Sequence, residues 1–187
     1  EEGLSTALQV STRSMVFKGD EMSLVDLRAV NTSYPLKGIV NIAEKPFGEK
    51  QVTTELPQTG EVWVQSRLFQ SLGLLIGDEI EIWDGTFTVT RVLVDIPDAG
   101  FSVFNTDPIA LMNLDDLEKT AITGPGSRAR YVGFFAGDTG DIERFNSWLL
   151  PQLNDDLHSW RTVEDDESAI GRSVARAERY FLLASLL

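Results

Sequence analysis

Residues 60–93 read GEVWVQSRLFQSLGLLIGDEIEIWDGTFTVTRVL, and the first half of this stretch predicts a strand followed by one short helix. The apolar run at residues 62–64 is typical of a short strand. Ser66 can cap the N-terminus of a helix, and Gly73 can end that helix in the left-handed conformation, which costs glycine little. The stretch therefore begins as strand, helix and turn.

The second half of the stretch predicts a β-hairpin. Residues 79–82 and 86–90 alternate polar and apolar side chains, as strands with one buried face do. Asp84-Gly85 between them is a hairpin-turn signal. Residues 45–59, before the stretch, are polar and contain proline and glycine, which is typical of a long loop or linker.

Further strands flank this unit on both sides. Residues 25–29 alternate with a period of two, and residues 39–42 offer another strand. Farther along, a strand at residues 109–112 leads into a short acidic helix at residues 115–118, and residues 128–136 alternate again. A helix then begins at Asp138 or Thr139. These elements predict an α+β fold with a mixed sheet.

The last third of the chain contains two more predicted elements. Pro151 ends the helix, because proline cannot continue a helical hydrogen-bond ladder. Residues 159–163 predict a final strand, and a helix follows to the C-terminus. We divide the chain into residues 1–44 as the first part of an α+β subdomain, 45–99 as an inserted β-rich subdomain, 100–163 as the second part, and 164–187 as a connecting helix.

The connecting helix ends in VARAERYFLLASLL, residues 174–187, with no charged residue after Arg179. An apolar stripe at helical spacing starts at Ile170 and widens until every face is apolar, as in a helix that enters lipid. Only about eight of the roughly 20 residues that a membrane span requires are present, so a buried C-terminal helix is the alternative. We expect both ends of the chain to be cuts within a longer protein. The predicted membrane-entry residues are Tyr180, Phe181, Leu182, Leu183, Leu186 and Leu187.

Three arginines recur on one face of the same helix, at Arg172, Arg176 and Arg179. A solvated helix face explains this spacing. The alternative is a contact between this helix and lipid headgroups or a partner helix.

The charge and the cysteine content exclude several functions. The formal net charge is −13, whereas nucleic-acid binding requires a concentrated Lys/Arg surface, so we expect no nucleic-acid partner. The chain has no cysteine, which excludes disulfides, thiolate metal sites and cysteine nucleophiles.

The sequence also lacks motifs for catalysis or nucleotide binding. Neither glycine-rich phosphate loop is present, and there is no G-x-S-x-G nucleophile elbow. His158 is the only imidazole, and we expect an exposed residue there rather than a catalyst. The acidic clusters at residues 115–116, 155–156 and 164–167 lack the EF-hand register and fit the starts of helices. We therefore expect no catalytic residue, no cofactor and no metal.

The four tryptophans fall on predicted strands or helix faces. We expect most of them in the core, although an exposed tryptophan could bind an apolar ligand or partner. They are Trp63, Trp83, Trp148 and Trp160.

Several stretches together resemble one known family. Residues 60–93 resemble the extracytoplasmic core of MacB/FtsX-type ABC transporter permeases, in which a strand, a short helix and L-G-L-x-x-G-D precede paired strands. Residues 14–38 (SMVFKGDEMSLVDLRAVNTSYPLKG), 110–120 (ALMNLDDLEKT) and 176–187 (RAERYFLLASLL) are similar to the first large periplasmic domain of YbbP-like permeases. The resemblance covers nearly the whole chain and implies a porter-like α+β subdomain. It also implies that the final apolar run begins a transmembrane helix.

The resemblance further implies a function without chemistry in this domain. A separate cytoplasmic ABC ATPase subunit would hydrolyse ATP, and helices rooted in the lipid bilayer of the bacterial inner membrane would carry the motion to this periplasmic domain. The domain would then handle hydrophobic or lipid-like substrates. A periplasmic thioesterase or lysophospholipase is the implied candidate partner.

Two other functions remain open at this point. An extracytoplasmic sensory or ligand-binding domain of a membrane receptor would use the same helix to feed a signalling module. A stand-alone hydrolase would need a nucleophile and a base, and the sequence does not present them.

Overall fold

The structure of the chain, a computed structural model, describes residues 3–99, 107–120, 122, 128–154 and 156–162. The chain divides into two compact units, Glu1–Asp138 and Thr139–Leu187. In its described residues, the first unit holds a nine-stranded mixed sheet, one α-helix and one 3₁₀ helix at Leu114–Thr120. Its strands and α-helix are, in chain order, β1 (Ser5–Lys18), β2 (Glu21–Val30), β3 (Val40–Ala43), β4 (Gln51–Thr53), β5 (Glu61–Gln65), α1 (Ser66–Ser71), β6 (Glu79–Ile82), β7 (Gly85–Asp95), β8 (Ile109–Asn113) and β9 (Arg130–Ala136).

Six of these strands close into a ring. The order β7-β5-β8-β2-β1-β6 is hydrogen-bonded throughout, and β6 pairs back to β7. The pairs β2–β8 and β5–β7 are parallel, whereas the other pairs in the ring are antiparallel. A closed sheet leaves no edge within the ring, so every ring strand has a neighbour on both sides.

The two longest strands make this closure geometrically possible. β1 is 14 residues long and pairs with β9 through its first half and with β6 at Val16 and Phe17. β7 is 11 residues long and pairs with β6 near Gly85 and with β3 near Val92. The sheet is therefore closed where β1 and β7 both pair with β6. It continues beyond the ring as β3 and β4, which pair next to β7, and as β9, which pairs with β1.

The main core fills the inside of the ring. Alternate residues of all six ring strands point inward, because successive side chains of a strand lie on opposite faces. Leu68, Phe69 and Leu72 of α1 and Leu117 of the 3₁₀ helix pack against them. The buried inward-facing residues include Val16, Val25, Leu27, Val62, Val64, Ile80, Ile82, Phe87, Val89, Ala110 and Met112.

A second core covers the outer face of part of the same sheet. Trp63, Leu93 and Leu111 belong to it, and they alternate along their strands with residues of the main core. Tyr34, from the connection between β2 and β3, and Phe134 of β9 pack onto this outer face. The strands near this second core are therefore buried on both faces.

The expected mixed sheet with short helices is confirmed, but the closure of the ring was not predicted. β5, β6 and β7, which come from the predicted inserted subdomain, lie in the same sheet as β1, β2 and β8. The division into residues 1–44, 45–99, 100–163 and 164–187 stays a prediction.

Local details correct three expectations within this unit. β4 forms inside the segment predicted as a loop. The hairpin turn between β6 and β7 is centred on Trp83 and Asp84 rather than on Asp84-Gly85, because Ile82 pairs with Gly85. Ser66 is the first helical residue and makes no cap. Its Oγ instead accepts a hydrogen bond from the Phe47 N–H at 3.0 Å.

The end of α1 follows the prediction. Gly73 has φ +55° directly after this helix, in the left-handed region that favours glycine. The short acidic helix is present as the 3₁₀ helix at Leu114–Thr120.

The second unit contains α2 (Thr139–Leu149), followed by a 3₁₀ turn at Leu150–Gln152 that includes Pro151. An aromatic cluster joins α2 to the segment after it, since the Phe145 ring lies 5.8 Å from that of Trp148 and 6.0 Å from that of Trp160. Residues 159–162 form no strand, so the predicted strand is wrong there. Across the described ranges, we find no helix with both the length and the apolar character needed to cross a membrane.

Candidate functional site

The residues predicted to act at the membrane all lie outside the described residues. This holds for the membrane-entry residues Tyr180, Phe181, Leu182, Leu183, Leu186 and Leu187 and for the arginines Arg172, Arg176 and Arg179. Their proposed roles therefore stay predictions.

His158 is exposed, as expected from the sequence, and it closes a turn. Its Nδ1 accepts a hydrogen bond from the Asn154 N–H at 3.0 Å. Trp63 is buried, whereas Trp83 and Trp148 are exposed. Exposed tryptophans thus occur in both units.

Among the described residues of the first unit, one polar cluster is centred on Arg28 of β2. The Arg28 guanidinium donates to Asp26 Oδ2 at 3.0 and 3.2 Å, and to the backbone oxygen and Oδ2 of Asp98 at 3.0 and 3.2 Å. Tyr34 donates its hydroxyl hydrogen to Asp98 Oδ1. The cluster ties β2 to the segment after β7 and to the connection that carries Tyr34.

The surroundings of Tyr34 in this cluster keep its hydroxyl protonated. Burial raises the pKa of Tyr34, and the hydrogen bond to Asp98 and its negative charge raise this pKa further. Arg28 opposes these effects only in part. Tyr34 therefore remains a protonated hydrogen-bond donor at physiological pH and is unsuited to act as a base.

An open groove of about 490 Å³ lies next to this cluster, lined by residues that include Phe47, Arg67 and Ile109. Gln65, at the end of β5, lines the groove and links β8 to β7. Its Oε1 accepts from the Ile109 N–H at 2.9 Å, and its Nε2 donates to the Val94 oxygen at 3.2 Å. The groove thus combines a fixed polar wall with an exposed aromatic ring, Phe47.

A second groove, of about 550 Å³, runs between β5 and the loop that follows β4. Trp63 lies in its floor and donates from Nε1 to Thr90 Oγ1 at 3.0 Å. The end of the covering loop is held by Asp116, whose fully buried carboxylate accepts from the Gly60 N–H at 2.7 Å and from Lys119 Nζ at 2.6 Å. The loop is therefore held by a carboxylate in the 3₁₀ helix.

In the second groove, Thr90 Oγ1 donates to Glu61 Oε2 at 3.3 Å and also accepts from Trp63 Nε1, so this hydroxyl links the groove floor to β5. The carboxylates of the Arg28 cluster are occupied by the guanidinium, and Asp116 is occupied by the loop and Lys119. In the part of the chain that the structure describes, no three His, Asp or Glu side chains are grouped to hold a metal ion. The geometry suits binding of apolar or mixed ligands.

Sequence reasoning missed both polar clusters. The alternation at residues 25–29 was interpreted as one buried and one solvated face, but both faces are buried. The signal was the pair Asp26 and Arg28 at i, i+2, since opposite charges on one strand face can satisfy each other when covered. Nothing in the sequence distinguishes buried Asp116 from its exposed neighbour Asp115.

The fold is similar to that of two solved structures. No family model matches the chain. The extracellular domain of the noncanonic ABC-type transporter YknZ from Gram-positive bacteria aligns with a TM-score of 0.51 and 11% identity, covering 77% of this chain and 71% of that one. A domain of a Porphyromonas gingivalis protein named as a permease aligns with a TM-score of 0.51 and 10% identity, covering 87% and 82%. At these identities the likeness shows a shared fold.

The sequence comparison is more specific. The chain is 35% identical over all its 187 residues to the ABC transporter permease YbbP of Escherichia coli (strain K12), and it spans 22% of the length of that protein. Over its whole length the chain is thus similar to one segment of a YbbP-type ABC transporter permease, which confirms the resemblance seen in the sequence. This relationship does not favour the alternative of a receptor domain.

Proposed function

We propose that this chain is a periplasmic domain, the first in its protein, of a bacterial inner-membrane permease of the MacB/FtsX type. In this proposal it transmits ATP-driven motion to the periplasm and catalyses no reaction itself, because ATP is hydrolysed by a separate cytoplasmic subunit. The observation that carries the proposal is the 35% identity to YbbP along the whole chain. The fold shared with the extracellular domain of YknZ supports the periplasmic location.

The closed ring supports a mechanical role. Every ring strand is hydrogen-bonded on both sides, and the ring interior is filled by fully buried side chains. A packed interior has low compressibility and transmits strain, so the first unit would move as one body. Residues 164–187 would be the connecting helix, with Tyr180 and Phe181 at the membrane entry and the three arginines contacting headgroups or a partner helix.

The cargo in this proposal is hydrophobic or lipid-like, and a periplasmic thioesterase or lysophospholipase is the proposed partner. The groove lined by Phe47 and Ile109 supports a site for part of an apolar molecule, since ligand sites combine apolar walls with a few fixed polar groups. Mass spectrometry of lipids and proteins that co-purify with the intact permease tests this part. A complex that carries neither excess lipid nor such an enzyme contradicts it.

A labelling experiment tests the location. The chain has no cysteine, so Val52→Cys gives this domain a single thiol, exposed on β4, in an intact permease from which any other cysteines have been removed. A membrane-impermeant maleimide should label it in cells with a permeabilised outer membrane. The unsubstituted permease measures background, and Val64→Cys, which is buried, should react only after denaturation. Labelling of Val52→Cys only after the inner membrane is lysed would overturn the proposal.

Hydrogen exchange tests the transmission of motion. In the purified permease–ATPase complex, a non-hydrolysable ATP analogue should change exchange in residues 139–187 and leave the ring strands β5 and β8 unchanged. Identical exchange throughout the chain with and without the analogue would refute transmission. Broad loss of protection in the ring would instead refute its rigidity.

A further inference from the structure

The ends of two hairpins form an apolar surface that the functions above do not use. In the β1–β2 hairpin, Phe17 pairs with Met22 and Met15 pairs with Leu24. Residues directly opposite each other in an antiparallel pair lie on the same face, so these four side chains share the outer face. Val16 pairs with Ile82 of β6, so Trp83, the next residue along the chain, follows at the register position of Met15. We name Met15, Phe17, Met22, Leu24 and Trp83 the hairpin patch.

The hairpin patch is the solvated face of the ring wall. Val16, Val25 and Ile82, which point to the other side, are completely buried in the ring. On the outer side, Met22 is 62% exposed and Trp83 is 58% exposed. A solvated face of an antiparallel pair normally carries polar residues, and a contiguous apolar patch on a protein surface marks an interaction site.

Trp83 also has an unfavourable backbone conformation. It has φ +52° and is the first central residue of the two-residue turn between β6 and β7. Turns of this kind favour asparagine, aspartate or glycine, and a bulky residue there is strained. An exposed tryptophan in a strained turn contributes little to folding, which is the pattern expected of a residue kept for contact with another molecule.

The charges around the hairpin patch indicate what kind of molecule binds it. Glu81 pairs with Phe17 in register. The two cations of β1 near the patch are both engaged by carboxylates: Arg13 Nε lies 2.9 Å from Asp107 Oδ2, and Lys18 Nζ lies 2.5 Å from Asp78 Oδ2. The exposed rim is therefore acidic. It comprises Asp20, Glu21, Glu79, Glu81 and Asp84.

An acidic rim around an apolar centre disfavours two possible occupants. An anionic membrane surface would be repelled by the rim. A second copy of the same patch would place like charges opposite each other, which costs free energy across an interface. A protein segment with apolar residues flanked by Lys or Arg is complementary in both respects, because charge complementarity favours encounter and an aromatic anchor supplies affinity.

We propose that the hairpin patch is the docking surface for a periplasmic protein segment with an apolar centre and cationic flanks. The proposal rests on the proposed function, since it requires this domain to face the periplasm, and it adds the place and the chemistry of the partner contact.

Photo-crosslinking in cells tests the proposal on the full-length permease with its ATPase subunit. A photoreactive amino acid is placed at Met22 and, separately, at Leu24. The matched control is Val52, which is 63% exposed on β4 and lies outside the hairpin patch. We expect one protein product from both patch positions and none of it from Val52, with the crosslinked segment rich in apolar residues and flanked by Lys or Arg. The proposal would be overturned if no crosslinked product formed. It would also be overturned if the crosslinked product were a lipid, a second copy of the permease or an acidic protein segment.

Two variants separate docking from folding. Glu81→Lys should lower the yield of the Met22 product several-fold, and added salt should lower the unsubstituted yield toward the same level. Trp83→Asn should lower the yield about tenfold, as loss of an aromatic anchor does, while the thermal midpoint of the 187-residue chain stays equal or rises. A lowered midpoint in Trp83→Asn, or an unchanged yield in either variant, would refute the docking role.

The outcomes also distinguish this proposal from the proposed function. If Val52→Cys is labelled from the periplasm and the patch gives no product, only the docking surface is wrong. If Val52→Cys is not labelled, the periplasmic location fails, and both proposals fail with it.

Discussion

Replacing Arg28 with methionine tests whether the buried polar cluster stabilises the first unit. Met has a similar length and no charge, so Arg28→Met leaves Asp26 and Asp98 without their guanidinium. The side chain of Arg28 is 10% exposed and that of Asp98 is 23% exposed. Breaking a buried pair by removing one partner costs about 3–5 kcal/mol. Since Asp98 can reach water, we expect a loss at the lower end, about 3 kcal/mol in the free energy of unfolding.

Three further variants define the cause of that loss. Arg28→Lys keeps the charge but lacks the planar guanidinium that reaches both carboxylates. We therefore expect it to lower the free energy of unfolding about half as much as Arg28→Met does. Arg91→Met removes an exposed arginine, 3.8 Å from Glu55, and should cost less than about 1 kcal/mol. Adding Asp26→Leu to Arg28→Met should recover part of the stability, because one fewer buried carboxylate then lacks the guanidinium.

Urea unfolding of the 187-residue chain, followed by tryptophan fluorescence, measures these differences. Equal stability of Arg28→Met and Arg91→Met would refute the reasoning, because a cluster that behaves like a surface ion pair is not excluded from water. A double variant less stable than Arg28→Met would show that the carboxylate of Asp26 stabilises the unit even without the guanidinium, which contradicts the explanation by a lost charge pair.

Three other perturbations have expected outcomes. Asp116→Ala removes the acceptor of the Gly60 N–H and should lower the free energy of unfolding, measured in urea, by about 2 kcal/mol. A decrease as small as that of a surface substitution would contradict this expectation. Trp83→Asn relieves the backbone strain of a positive φ, about 1 kcal/mol, and should raise the thermal midpoint by roughly 2–4 °C in calorimetry. A lower thermal midpoint would show that the indole of Trp83 is needed for packing. The hydrogen bond from Lys18, followed by the Leu75 N–H, holds the pKa of Asp78 below its ordinary 3.8. A carboxylate with a lowered folded pKa stabilises above its unfolded pKa and loses that effect as the pH falls through the folded value. The stability gap between the unsubstituted chain and Lys18→Met should therefore narrow below about pH 3.8 in acid titrations, and a constant gap would contradict the ion pair.

The local elements of this fold could be predicted from sequence because their signals are local. Alternation gave β6 at residues 79–82 and β9 within residues 128–136, and Gly73 marked the end of α1. The turn at Trp83 was misplaced by one residue because Asp84-Gly85 is the stronger motif, while the pairing of Ile82 with Gly85 was decided by the register of the whole hairpin.

The closure of the ring could not be predicted from the same signals. β6 is four residues long and joins the ends of β1 and β7, and no pattern within residues 79–82 specifies a second neighbour. The Arg28 cluster was missed for a related reason. Alternation along β2 shows that one face is apolar, but it does not show that Tyr34 and Asp98 cover the other face.

The position of β8 has a consequence for how the chain acquires its structure during synthesis. β8 is the strand inserted between β2 and β5, parallel to the first and antiparallel to the second, and it follows both in the chain. Until residues 109–113 have emerged, β2 and β5 expose unpaired edges of the kind that recruit other chains. Pairings between distant residues also form slowly. Maturation of this domain therefore has a vulnerable interval that ends with one late strand, and chaperones that protect nascent chains would have their target there.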